Sequence, residues 1–215
     1  MILAKADGTE WRVEGAAEKL RLRASLPGAR VFDLAAEALR KAKASGVGVM
    51  DRLALALPAS WCVNSPAPST VLRRWTLPPQ DEVWVALVDL FDDPSREPLD
   101  VESREAIELA LRALGSEPYV VEAASKVLGL MVPDCVPLMP VAARRFVLGP
   151  GEREDARAFL SMVDWFAGAV REGGAELASW GASHDGVPIT APQVLDRLLW
   201  FDSEGHRHFP PVGGP

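Results

Sequence analysis

Between Val101 and Gly149 the apolar residues return every three to four positions in two runs, broken at Gly115-Ser-Glu-Pro118 and again at Pro133-Asp-Cys-Val-Pro137-Leu-Met-Pro140. That spacing is the helix period, and a chain patterned this way has few options other than packed helices. Asp100 can cap the first run, with Glu102 and Glu105 favourable in its opening turn, and Val101, Ala106, Ile107, Ala110, Leu111 and Leu114 recur before Gly115. The second run begins near Pro118, a residue tolerated in a first turn because its missing N–H has no intrahelical partner there. Val120, Val121, Ala124, Val127, Leu128 and Met131 leave this run little polar face, so a buried central helix ending before Pro133 is expected.

Upstream, Ile2 to Ala6 and Glu10 to Val13 flank Asp7-Gly8-Thr9, a turn signal that predicts a small hairpin. Ala16 to Ala24 reads as a helix and Pro27-Gly28 as a turn. Arg30 to Ala44 reads as a longer helix with Val31, Leu34, Ala35, Ala38, Leu39 and Ala42 on its core face. Lys41 and Lys43 suit its last turn and Gly46 its C-cap. A short helix over Val49 to Leu57 is expected to end at Pro58, and Pro58 to Pro68 reads as a loop. Val71 to Trp75 and Pro79 to Phe91 follow, the latter an acidic amphipathic pattern closed by Asp92-Asp93-Pro94.

Downstream, Glu152 to Arg171 predicts a long amphipathic helix with Phe159, Leu160, Val163, Phe166, Ala167 and Val170 inward, stopped by Gly173-Gly174. Thr190-Ala-Pro-Gln193 has the form of a capping box opening a last helix through Phe201. Asp202 to Pro215, rich in Gly and Pro, is expected to fray.

Composition bounds the function. At 215 residues and 48% hydrophobic content the chain can bury a sizeable core. No apolar run approaches the roughly 18 residues a membrane helix needs, and the start lacks a secretory pattern, so a cytoplasmic protein without membrane contact is expected. Cys62 and Cys135 are too few for a disulfide framework. The net charge of −7 is uneven: residues 1–74 carry +5, residues 75–122 carry −9 and the rest −3. The acidic middle disfavours nucleic acid, whereas the basic first third can face an acidic partner or that middle itself.

Few residues suggest chemistry. Gly46-Val-Gly48 follows a helix rather than a strand and lacks a Lys-Ser/Thr, so it is no phosphate loop. His206 and His208 with Asp202 and Glu204 have a spacing that could gather round a metal, but a further spaced ligand is missing, and no metal or cofactor is expected. Asp164 is a weak candidate carboxylate beside the stripe of its helix. G-x-S-x-G, H-E-x-x-H, C-x-x-C and Walker patterns are all missing from the sequence. Seven tryptophans are many for this length; Trp61 and Trp180, in weakly patterned segments, are candidate anchors for a protein partner.

The run Leu114 to Gly149, through Ala124-Ser-Lys-Val-Leu128, Val132-Pro-Asp-Cys-Val-Pro137 and Arg144-Arg-Phe146, resembles an uncharacterised family of bacterial helical proteins with a core related to helix-hairpin-helix DNA glycosylases. Val194-Leu-Asp-Arg-Leu-Leu-Trp200 is similar to that family's closing helix, and the resemblance covers roughly residues 104–201. It implies hairpin glycines, a basic run and an Asp, but Pro118 and Val120, Leu130 to Val132, and Pro140 stand at those positions. Pro118 cannot offer an N–H to a phosphate, and apolar residues cannot release counterions.

The expectation is therefore a mainly α, multi-helix globular domain of seven to nine helices with a short N-terminal β-hairpin and a helix-hairpin-helix-like core. Residues 1–60 pack on a core of residues 69–201, followed by a flexible tail at 202–215. The expected function is a non-catalytic interaction or accessory protein with an unidentified protein partner. The alternative is a divergent nucleic-acid-binding or glycosylase-like protein using Lys126, Arg144 and Arg145.

Overall fold

A computed structural model describes residues 1–60, 104–109, 118–133, 136–138, 140–151, 156–182 and 189–209. The protein is mainly helical with a two-stranded antiparallel hairpin at its N-terminus. Strand β1 (Ile2–Ala4) pairs with β2 (Glu10–Arg12) in the register Leu3 to Trp11. Asp7 closes the turn, its carboxylate accepting the Thr9 N–H at 2.9 Å and the Thr9 hydroxyl at 2.6 Å.

The hairpin is small, yet it belongs to the core because alternation sends Leu3 and Trp11 inward. The Trp11 indole N–H donates to Asp202 at 2.8 Å, the Trp165 indole N–H donates to the Ala4 carbonyl at 2.8 Å, and the Asp7 N–H donates to the Val147 carbonyl at 3.2 Å. Three later segments of the chain thus hold one short ribbon.

Helices α1 (Ala16–Ser25), α2 (Pro27–Ala44) and α3 (Val49–Ser60) follow. The expected Pro27-Gly28 turn is instead the first turn of α2, where a proline with no N–H to donate is at home. Helix α2 ends as expected at Gly46, whose φ of +78° completes a Schellman pair: Val47 N–H to the Ala42 carbonyl at 2.9 Å and Gly46 N–H to the Lys43 carbonyl at 3.0 Å. Helix α3 passes Pro58 and ends at Ser60, because a proline in the final turn forfeits only its own backbone bond.

Helix α4 (Pro118–Met131) is the buried central helix, with every position from Ser125 to Met131 enclosed. Residues 104–109 are helical with Ala106 and Ile107 buried. Helices α5 (Val141–Leu148), α6 (Ala156–Ala182) and α7 (Ala191–Ser203) complete the set, followed by a 3-10 turn at Gly205–His208. Helix α6 lies along α7, α5 packs on both, α1 on α2 and α7, and α3 bridges α2 and α4.

Helix α6 overturns one expectation: it runs straight through Gly173-Gly174. A glycine inside a helix costs about 1 kcal/mol relative to Ala, which the burial of α6 before and after the pair offsets here. Leu177 beyond the glycines is fully enclosed, and a Cβ built at Gly173 would stand 2.5 Å from the Met1 sulfur. The glycine gives the N-terminus room to lie on α6, where the Met1 amino group meets Glu176 at 3.2 Å. The expected fraying after Asp202 is also corrected for residues 202–209, which finish α7 and form the 3-10 turn, anchored by Asp202. Among the described residues no helix is long and apolar enough to cross a membrane.

Candidate functional site

The most concentrated polar chemistry lies where α1, α2 and α7 meet. Asp33 of α2 accepts both Arg23 of α1, whose Nη1 is 3.0 Å from Oδ2, and Arg197 of α7, whose Nη2 is 3.0 Å from Oδ1. Both arginines are buried, so one carboxylate is shared by two enclosed guanidiniums. Burial pushes the Arg197 guanidinium below its ordinary value while Asp33 opposes the shift.

Beside them Asp196 accepts the Leu138 N–H at 2.7 Å, fixing the segment 136–138 against α7. Burial raises this carboxyl to about 6, with Arg23, the Leu138 N–H and Arg197 acting in the opposite direction. One layer outward, Asp202 takes Lys19 of α1 at 2.6 Å together with the Trp11 indole. Trp200 carries the Arg23 guanidinium 6.0 Å from its ring and the His208 ring stacked at 5.8 Å.

The ion pairs of this cluster tie α1, α2 and α7 together and orient them. It sets the rotation of α2. At about 100° per residue, Asp33 stands nearly opposite the centre of the face made by Val31, Leu34, Ala35, Ala38, Leu39 and Ala42. That face and Asp33 cannot both point inward. The helix buries Phe32 and Leu39 instead, on the side Asp33 can share, and Val31, Leu34 and Ala38 turn outward. The expected core face of α2 is therefore only partly inside. Val31 is 45% exposed and Leu34 60%.

Five large apolar side chains are exposed among the described residues, and four of them (Val31, Leu34, Val47 and Leu55) belong to α2, α3 or the turn between. The result is an apolar line on the outer surface of a helix whose other side is held by ion pairs. Lys41, in the last turn of α2, has a side chain 76% exposed and lies 3.4 Å from Glu37, which also pairs with Arg40.

The residues expected to meet nucleic acid do not share a surface. Lys126 is 5% exposed and Arg144 2%, each engaged inside the protein, while Arg145 on the same helix as Arg144 faces outward. Trp180 is half-buried against the core, and Trp61 lies outside the described residues, as do Cys62, Cys135, Asp92, Asp93 and His184. Asp164 is exposed and accepts Arg104 Nε at 2.7 Å, an interaction that raises the arginine further above its ordinary value.

His208 packs on Trp200, the His206 ring nitrogen lies 3.4 Å from the Phe201 carbonyl, and Asp202 is taken by Lys19 and Trp11. Among the described residues no three His, Cys, Asp or Glu side chains come together in a group able to hold a metal.

The sequence placed Arg23 only in a basic face of the first third, and gave no role to Asp33, Asp196 or Arg197. One signal for them existed: Asp196-Arg197 interrupts the apolar run Val194-Leu195 and Leu198-Leu199 of α7, and charges set inside such a run need partners when buried. Comparison with protein-family models, with curated proteins and with solved structures yields no match.

Proposed function

We propose that this protein is a non-catalytic interaction or accessory protein on a helix-hairpin-helix-like scaffold that has lost its nucleic-acid features, and that the outward line of α2 belongs to its docking face. The observation that carries this reading is the exposure of Val31 and Leu34 on a helix whose rotation is fixed by a buried ion cluster. An apolar line held outward by ionic bonds on the opposite side of the helix cannot roll inward to hide, and apolar area left in water contributes about 25 cal/mol per Å² once a partner covers it. The burial of Lys126 and Arg144 agrees with a scaffold that does not present cations to phosphates.

A photo-crosslinking amino acid placed at Leu34 tests the reading in cells, with the same group at Glu172, an exposed position of α6, as reference. Discrete protein adducts from position 34 that are missing from position 172 are expected. Equal labelling from both positions, or DNA adducts in place of protein, would reject it.

A further inference from the structure

We infer that Asp196 is the bolt of a local, pH-operated latch: with its proton in place the connector 136–138 stays closed on α7, and loss of that proton lets the connector open while the helices remain folded. This does not depend on how the outer face of α2 is used.

The connector lies between α4 and α5 in the chain and is not helical. Its backbone grip is short. The Val136 N–H donates to the Val132 carbonyl at 3.1 Å, Pro137 has no N–H, and the Leu138 N–H donates to Asp196 at 2.7 Å. Of these bonds the one from Leu138 alone reaches another helix. On its other side the connector meets the backbone of α4, where a Cβ built at Gly129 would stand 3.1 Å from the Val136 carbonyl oxygen. Val136 and Leu138 are buried there, so the connector joins α4 to α7 through the core.

The charges around Asp196 decide when that grip holds. Among the described residues, α1 brings Arg23, α2 brings Asp33 and α7 itself brings Arg197, and both arginines make their ion pairs with Asp33 at 3.0 Å. Lys19 of α1 is held by Asp202. Helix α6 buries apolar side chains such as Phe159, Val163 and Phe166, while α4 and α5 each enclose one cation, Lys126 and Arg144, engaged inside the protein.

In this setting burial outweighs Arg23, the Leu138 N–H and Arg197, and the folded carboxyl is held at about 6. A connector that swings away wets the carboxyl and returns it toward 3.8. The closed form therefore binds the proton more tightly than the open one. The latch is fully shut below the ordinary value and weakens as pH rises through about 6.

The test is amide hydrogen exchange and NMR on the full chain. The opening constant at Leu138, its exchange rate relative to an unstructured amide, should rise about tenfold between pH 5 and pH 7. It should respond weakly to urea, whereas the Val163 amide of α6 should open only with global unfolding and carry the full urea dependence. In the unaltered chain the Asp196 carboxyl carbon and the Leu138 amide nitrogen should titrate together near 6. Asp196→Asn keeps an acceptor but never ionises, and should hold the opening constant near the parent's low-pH value throughout.

Leu138 opening with the same urea dependence as Val163 would mean that the connector has no motion of its own. A carboxyl midpoint at the ordinary 3.8, or an unchanged pH dependence in Asp196→Asn, would remove Asp196 as the bolt. Each of these outcomes overturns the inference, and the first two need no variant.

Discussion

Helices α6 and α7 and helix α2 are all amphipathic, but they use their apolar faces differently. In α6 the line Phe159, Leu160, Val163 and Phe166 is also the buried face, and in α7 Val194, Leu195, Leu198 and Leu199 are fully enclosed. There the apolar stripe and the buried face coincide, and in α7 the buried Arg197 points the same way. In α2 the apolar arc is wider than one contact surface can cover, so two rotations compete. One buries Val31, Leu34 and Ala38; the other buries Phe32 and Leu39 and also lets Asp33 reach Arg23 and Arg197.

The second rotation wins because the costs are unequal. Leaving Leu34 partly in water forfeits on the order of 1 to 2 kcal/mol, whereas two buried guanidiniums without their carboxylate cost about 3 to 5 kcal/mol. Where a buried charge must be met, apolar surface gives way, and the surface it yields becomes available to a partner.

The contrast can be broken most directly at its ionic end. Asp33→Ala should lower the unfolding free energy by about 3 to 5 kcal/mol, read by urea denaturation; a loss below about 1 kcal/mol would mean that the cluster does not hold α2. At the apolar end, Phe166→Ala in α6 should cost about 3 to 4 kcal/mol through lost transfer energy and the cavity left behind. A cost near zero would remove the distinction between the two regions from the other side.

The cluster should also leave a signature in pH. Asp196 sits at about 6 in the folded protein against 3.8 ordinarily, so the folded state holds a proton that the unfolded state has released. That contribution to stability is complete below the ordinary value and is lost as pH rises through about 6, amounting to about 3 kcal/mol across the window. Asp196→Asn keeps an acceptor for the Leu138 N–H and should flatten that part of the stability profile. An unchanged profile would show that Asp196 is not the titrating group. The smallest effect belongs to Leu34→Ala, which should stay within about 0.5 kcal/mol of the parent. A loss of 2 kcal/mol or more would place Leu34 in the core and close the gap between α2 and α6.

The signals that worked were local. Asp7-Gly8-Thr9 specified a turn through one carboxylate and one permissive glycine, Gly46 ended α2 by a left-handed φ, and Thr190-Ala-Pro-Gln193 opened α7 with the Thr190 N–H donating to Gln193 Oε1 at 3.2 Å. Each depends on neighbours within a few residues, so the string of letters carries the whole interaction. Gly173-Gly174 misled because the helix continues through both, and at Gly173 the neighbour that a Cβ would meet is the Met1 side chain, distant in sequence and adjacent in space.

The site followed the same division. Its members come from α1, α2 and α7, and nothing in the spacing of Arg23, Asp33 and Arg197 along the chain connects them. Lys126 shows the converse. It stands in a run whose apolar density predicted burial, yet its charge invited a surface role, and packing placed it inside.

What the sequence determined by itself was the helical class, the hairpin, and most helix starts and stops, since period, caps and turns are written over short windows. Which way α2 faces was left to the tertiary structure, because that choice compares the desolvation of Arg23 and Arg197 with the exposure of Val31 and Leu34. Those energies exist only after three helices have met.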